Sequence, residues 1–136
     1  MNQFALLQNQ IQQLSKKLDI NNINNQQELK GIKNGYNWKY VGQVVNGLRE
    51  GKGICYWEDG DRYEGDYKND NKEGKGIYYY HNGDRYEGDY RNDKAEGKGI
   101  YYYRNGDRMM GDYYNDKKIG KHVMLTRNGE VKINNY

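Results

Sequence analysis

YEGDYKNDNKEGKGIYYYHNGDR spans Tyr63–Arg85, and YEGDYRNDKAEGKGIYYYRNGDR follows it directly at Tyr86–Arg108. A fixed internal period decides architecture before composition does, because each unit must bury its apolar face against its neighbours. Sliding the chain by 23 residues aligns Tyr40, Tyr63, Tyr86 and Met109, and also Gly42, Gly65, Gly88 and Gly111. The same shift aligns Gly51, Gly74, Gly97 and Gly120, and then Gly60, Gly83, Gly106 and Gly129. Four units therefore run without a gap over 40–62, 63–85, 86–108 and 109–131, and a partial fifth covers 132–136. Residues 40–136 form one repeat domain.

Within a unit, YEGDY alternates: Tyr63, Gly65 and Tyr67 share one face, Glu64 and Asp66 the other. That period of two predicts a strand. GKGIYYY, from Gly74 to Tyr80, predicts a second one, and the Asn-Asp and Asn-Gly pairs between strands tolerate positive φ. Each unit is thus a β-hairpin, and successive hairpins pair into one long antiparallel sheet. A three-residue loop, His81-Asn82-Gly83, would set Tyr78 opposite Tyr86 and Gly76 opposite Gly88, so that rings lie over residues without side chains. A two-residue Asn-Gly turn would instead bring Tyr79 beside Tyr86.

Leu, Ile, Val and Phe make only about 16% of the chain, but 16 tyrosines supply apolar surface that suits a pleated sheet. There is no proline, so 18 glycines do the turning. The single cysteine, Cys55, excludes an intramolecular disulfide and fits a reducing compartment. No apolar run approaches membrane-span length, and no signal-peptide pattern opens the chain, so the expected location is cytoplasmic.

YEGDYKNDNKEGKGIYYYHNGDRYEGDY resembles the MORN (membrane occupation and recognition nexus) repeat, whose pattern is Tyr-x-Gly-x-Trp followed by Gly-x-Gly. The resemblance covers 40–131; Tyr67 and Tyr90 stand where the family usually has Trp, and Val44 is a weaker match in the first unit. It implies a mainly β fold: an elongated, curved antiparallel sheet. It also implies a non-catalytic role in scaffolding, dimerisation or docking, in a cytoskeletal or ciliary setting such as a radial spoke. Membrane or phosphoinositide binding belongs to some members, and others regulate an enzyme on another chain.

The fourth unit departs most. Met109 replaces Tyr, His122 replaces Gly, and Val123, Met124, Leu125 and Thr126 replace the IYYY run. Terminal repeats lack a neighbour and are expected to be atypical. Met109, Met110, Met124 and Leu125 are expected to be capping residues, flexible partner contacts, or both. At the other end, Phe4, Leu7, Ile11, Leu14 and Leu18 follow 3-4-3-4 spacing and predict an amphipathic helix over 1–20. A short isolated helix is marginal in water, so the seam either folds onto its own sheet or binds another chain. Residues 21–39 begin with an Asn/Gln-rich run and are expected to be a linker.

No catalytic residues are predicted. His81 and His122 lie far apart in sequence, Cys55 sits in a packing column with Tyr78 and Tyr101, and DGDRYEGD lacks the ligand spacing of a calcium loop. No cofactor, metal or small-molecule substrate is expected. Residues 40–131 hold 16 Lys/Arg against 17 Asp/Glu, arranged in columns: Lys52, Lys75, Lys98 and Lys121 beside Asp66, Asp89 and Asp112. Such columns predict neutralising ladders, which argue against nucleic acid and leave only weak membrane contact. The expected partners are other proteins in a multi-subunit complex. The expected surface is the aromatic face: Tyr56, Tyr63, Tyr67, Tyr78, Tyr86, Tyr90 and Tyr101.

Overall fold

The computed structural model describes residues 3, 5–13 and 26–136. Residues 5–13 are helical, and the remainder is one open, curved antiparallel sheet whose ten strands are ordered as in the sequence. The strands are β1 (Gln26–Lys33), β2 (Tyr36–Val45), β3 (Leu48–Trp57), β4 (Arg62–Lys68), β5 (Asn71–Tyr79), β6 (Arg85–Arg91), β7 (Lys94–Tyr102), β8 (Arg108–Tyr114), β9 (Lys117–Leu125) and β10 (Val131–Asn135).

Two turn types alternate along the sheet. Lys68 pairs with Asn71 across the two-residue turn Asn69-Asp70, whose φ values of 48° and 70° are both left-handed. That conformation matches the twist of the flanking strands and suits Asn and Asp. At the other end of each hairpin the loop has three residues. The Tyr80 N–H donates to the Asp84 carbonyl and the Gly83 N–H to that of Tyr80, both at 3.0 Å. Gly83 lies at φ 95°, so glycine is needed there. The three-residue alternative is therefore the one adopted: Tyr78 faces Tyr86 and Gly76 faces Gly88.

The Gly-x-Gly pair has two separate duties. Between Gly65↔Gly76 and Tyr67↔Lys72 the register shifts at a bulge, where Gly74 takes φ 70°. Gly76 instead lies under a ring: a Cβ built there would collide with the Tyr63 side chain. Gly53 and Gly99 hold the same relation to Tyr40 and Tyr86.

The sheet extends further than the repeat phase suggests. Gln26–Lys33, expected to lie in a linker, forms β1 and pairs along its length with β2, whose own start at Tyr36 also precedes the first repeat. Its turn is Asn34-Gly35, with φ values of 53° and 81°. The partial fifth unit contributes β10, which pairs with β9. Of the predicted helical seam, Leu7 and Ile11 are 54% and 55% exposed. Phe4, Leu14 and Leu18 lie outside the described residues.

Candidate binding surface

One face of the sheet carries a continuous aromatic core. Tyr40, Tyr63 and Tyr86 lie over the glycine column, and the hydroxyls of Tyr40 and Tyr63 donate to the carbonyls of Gln43 (2.7 Å) and Asp66 (3.0 Å). Tyr67, Tyr90 and Tyr113 insert edge-on between neighbouring repeats. Tyr67 meets Tyr40 at 5.1 Å and Tyr63 at 5.2 Å; Tyr90 meets Tyr63 at 5.2 Å and Tyr86 at 5.5 Å. Such edge-to-face pairs add about 0.5–1.5 kcal/mol each beyond area burial.

This corrects the sequence expectation for four residues. Tyr63, Tyr67, Tyr86 and Tyr90 are buried and hold repeat to repeat; they are not surface open to a partner. Met109, expected among the terminal-repeat contacts, is buried as well. Tyr78 and Tyr101 are half-buried, as are Met124 and Leu125, while Tyr56 and Met110 are exposed. Cys55 is buried between Tyr40 and Tyr63, and burial pushes its thiol up, which keeps it protonated and unreactive.

Beside this core runs a second, half-exposed lane: Trp57, Tyr78, Tyr80, Tyr101 and Tyr103, with successive centroids 5.5, 4.7, 5.7 and 4.8 Å apart. Aspartates clamp it. The Tyr78 hydroxyl donates to Asp61 Oδ2 at 2.8 Å, and the His81 N–H donates to Asp61 Oδ1 at 2.8 Å. Tyr101 and the Arg104 N–H hold Asp84 in the same way. Burial pushes the Asp61 carboxyl up, but the bonds from His81 and Tyr78 outweigh it and hold the group below the usual carboxylate range. Asp59, Asp61 and His81 bring their ligand-type atoms within 4.8 Å of one another, yet both Asp61 oxygens already accept hydrogen bonds.

Cations lie between the two lanes. The Arg49 guanidinium sits over Trp38 (4.8 Å) and Tyr67 (4.9 Å), and its Nε bonds Asp70 at 2.7 Å. One repeat on, the Lys72 ammonium is ringed by Trp57, Tyr63, Tyr78 and Tyr90 at 5.7, 5.4, 4.9 and 5.2 Å. Burial pushes the Lys72 ammonium below its usual range, against the pull of Asp93 and Asp116. Sequence reading passed over this column of Arg49, Lys72, Ala95 and Lys118, although the 23-residue shift contains it.

The opposite face is charge-compensated. Lys52 pairs with Asp66 and Lys75 with Asp89 across neighbouring strands, and Lys98 faces Asp112 in the same register. Arg62 and Arg85 form ion pairs with Glu64 and Glu87, two residues along their own strands, and cover Tyr79 and Tyr102 at 4.2 and 4.1 Å.

The family model for the MORN repeat matches residues 40–62, 63–85 and 86–108 in tandem, just over half of the chain. The chain belongs to the MORN repeat family. No curated protein matches it. MORN repeats are interaction modules for proteins or membranes, and the family is non-enzymatic. The MORN hairpin geometry continues past the matched region, since β8 and β9 repeat the strand pairing and the bulge of the earlier units.

Proposed function

We propose that this MORN protein is a non-catalytic scaffold, a protein-binding subunit of a larger cytoskeletal or ciliary assembly. The observation that carries this is the half-exposed lane from Trp57 to Tyr103, rigid aromatic surface held open by Asp61 and Asp84. Aromatic side chains bring large contact area at low entropic cost, and they anchor protein interfaces for that reason. The helix adds a second contact through Leu7 and Ile11, each more than half exposed. Burying such side chains stabilises a complex by about 1.5–3 kcal/mol apiece.

A phosphoinositide or membrane-surface adaptor is the second reading. Five lysines against two acidic residues in 1–39 favour it, while the paired columns of the repeats do not. No helix of the described residues is long and apolar enough to cross a membrane. Leu7→Asp combined with Ile11→Asp is expected to release the protein from its native complex while leaving the β circular dichroism signal unchanged. If the partners stay bound and the sheet is destabilised, the helix caps its own sheet. Tight, phosphoinositide-selective vesicle binding by the full-length protein would promote the second reading.

A further inference from the structure

Shifting the four rings around Lys72 forward by one repeat lands on Tyr80, Tyr86, Tyr101 and Tyr113, all aromatic again. At their centre the column holds Ala95 instead of a cation. Arg49, Lys72 and Lys118 fill the same position in the other repeats, and each lies over a ring. The Ala95 side chain stops at Cβ, and the four tyrosines border a cavity of about 430 Å³ whose wall also carries Asp93 and Asp116 and the lysines Lys72 and Lys118. The neighbouring cavity, bordered by both Arg49 and Lys72, measures about 290 Å³.

The carboxylate of the site is also reproduced. Asp116 Oδ1 accepts the Ala95 N–H at 2.8 Å, as Asp93 Oδ1 accepts the Lys72 N–H at 2.8 Å. Rings, acid and backbone around Ala95 thus copy the site around Lys72, with alanine at the position the cation takes there. Ring faces are negative and attract an ammonium strongly once it is desolvated.

We infer that the Ala95 cage is a docking site for a lysine side chain of a partner protein, entering where Lys72 lies one repeat earlier. This rests on the proposed protein-binding role of the aromatic lane and names the chemistry it recognises. The equivalent four-ring site holds a lysine, which favours an ammonium occupant. Lys72 on the cavity wall does not exclude it, since Arg49 and Lys72 already share the neighbouring cavity, and Asp93 and Asp116 offset the charge here. Lys118 is engaged on Tyr136 at 5.0 Å.

The test titrates the full-length protein with a blocked pentapeptide carrying one lysine among glycines, and with its norleucine counterpart, following tyrosine ring protons by NMR. The lysine peptide is expected to shift the Tyr80, Tyr86, Tyr101 and Tyr113 rings saturably, and the norleucine peptide to bind roughly tenfold more weakly. Ala95→Lys places the chain's own ammonium in the cage; it is expected to abolish binding and raise Tm. Lys72→Ala opens a second cage and is expected to add Trp57 to the shifted rings, so the proposal stays testable if A95K fails to fold. Equal binding of both peptides, or undiminished binding by folded A95K, overturns the cage. If no lysine peptide binds while proteins still co-purify at high salt, the cage fails and the scaffold role stands. If the lysine peptide binds but nothing co-purifies, the scaffold role fails and the cage stands.

Discussion

His122 Nε2 bonds the carbonyl of Asp112 at 2.8 Å. A carbonyl only accepts, so Nε2 carries the hydrogen. In earlier repeats the equivalent carbonyls, of Gln43 and Asp66, receive the hydroxyls of Tyr40 and Tyr63. The fourth repeat has therefore exchanged two columns together: methionine stands at the tyrosine position, Met109, and histidine at the glycine position, His122. The imidazole enters from the opposite strand, lies against Gly111, and meets Tyr113 and Tyr136 edge to face at 5.3 and 5.2 Å. It is fully buried, and the aromatic core runs through it to Tyr136.

The exchange predicts strong coupling between positions 109 and 122. His122→Gly alone removes a ring that Met109 cannot replace and is expected to cost about 2–4 kcal/mol. Met109→Tyr alone crowds His122 and is expected to destabilise too. The double variant restores the pattern of the first three repeats and is expected to recover most of the loss. Urea unfolding of all four proteins checks this; additive single effects would show that the two residues do not share one site.

Gly76→Ala is expected to destabilise by about 1–3 kcal/mol, because its methyl would enter the space of the Tyr63 ring. Gly35→Ala, where nothing lies within 4 Å of a Cβ, isolates the strain of left-handed backbone from steric overlap. Thermal melts of the two variants separate these effects. A G76A loss that disappears in the Tyr63→Ala background would confirm the ring as the cause.

Stability is expected to fall at both pH extremes. Asp61 and Asp70 are held below the usual carboxylate range despite their burial, by hydrogen bonds from His81 and Tyr78 and from Arg49 respectively. A depressed carboxylate stabilises the fold above its unfolded pKa of about 3.9, and that contribution is lost as pH falls through the lower folded value. Asp61→Asn is expected to shallow the acid limb. Burial pushes Tyr40 and Tyr113 up to about 12. Their contribution is complete below the unfolded value of about 10 and is lost as pH rises through 12. Tyrosine ionisation is expected to coincide with loss of the β signal; independent titration of these rings at an intact β signal would contradict their burial.

Much of this fold is legible in the sequence. The 23-residue shift gives the hairpins, and Gly83 in the three-residue loop fixes Tyr78 opposite Tyr86. Like-spaced Lys52 and Asp66 anticipate the ladder between β3 and β4. β1 escapes because its Asn34-Gly35 turn has two residues where the repeats use three, which takes it out of phase. Its polar sequence suits an edge strand and resembles a linker equally well. The binding surface is less legible for a different reason. Alternation places Tyr63 and Tyr67 on one face but says nothing of what covers them, and the cover comes from rings of adjacent repeats such as Tyr90. The break at Ala95 is visible in the column, but its meaning depends on the rings that surround Lys72.

The most direct measurement compares tagged full-length protein with a variant carrying Tyr80→Ser and Tyr103→Ser, both purified from native cells at high salt. The scaffold role predicts that the wild type retains a defined set of proteins and that the variant loses them with its β circular dichroism unchanged. Retention of the same set by the folded variant, or of none by the wild type, would contradict it.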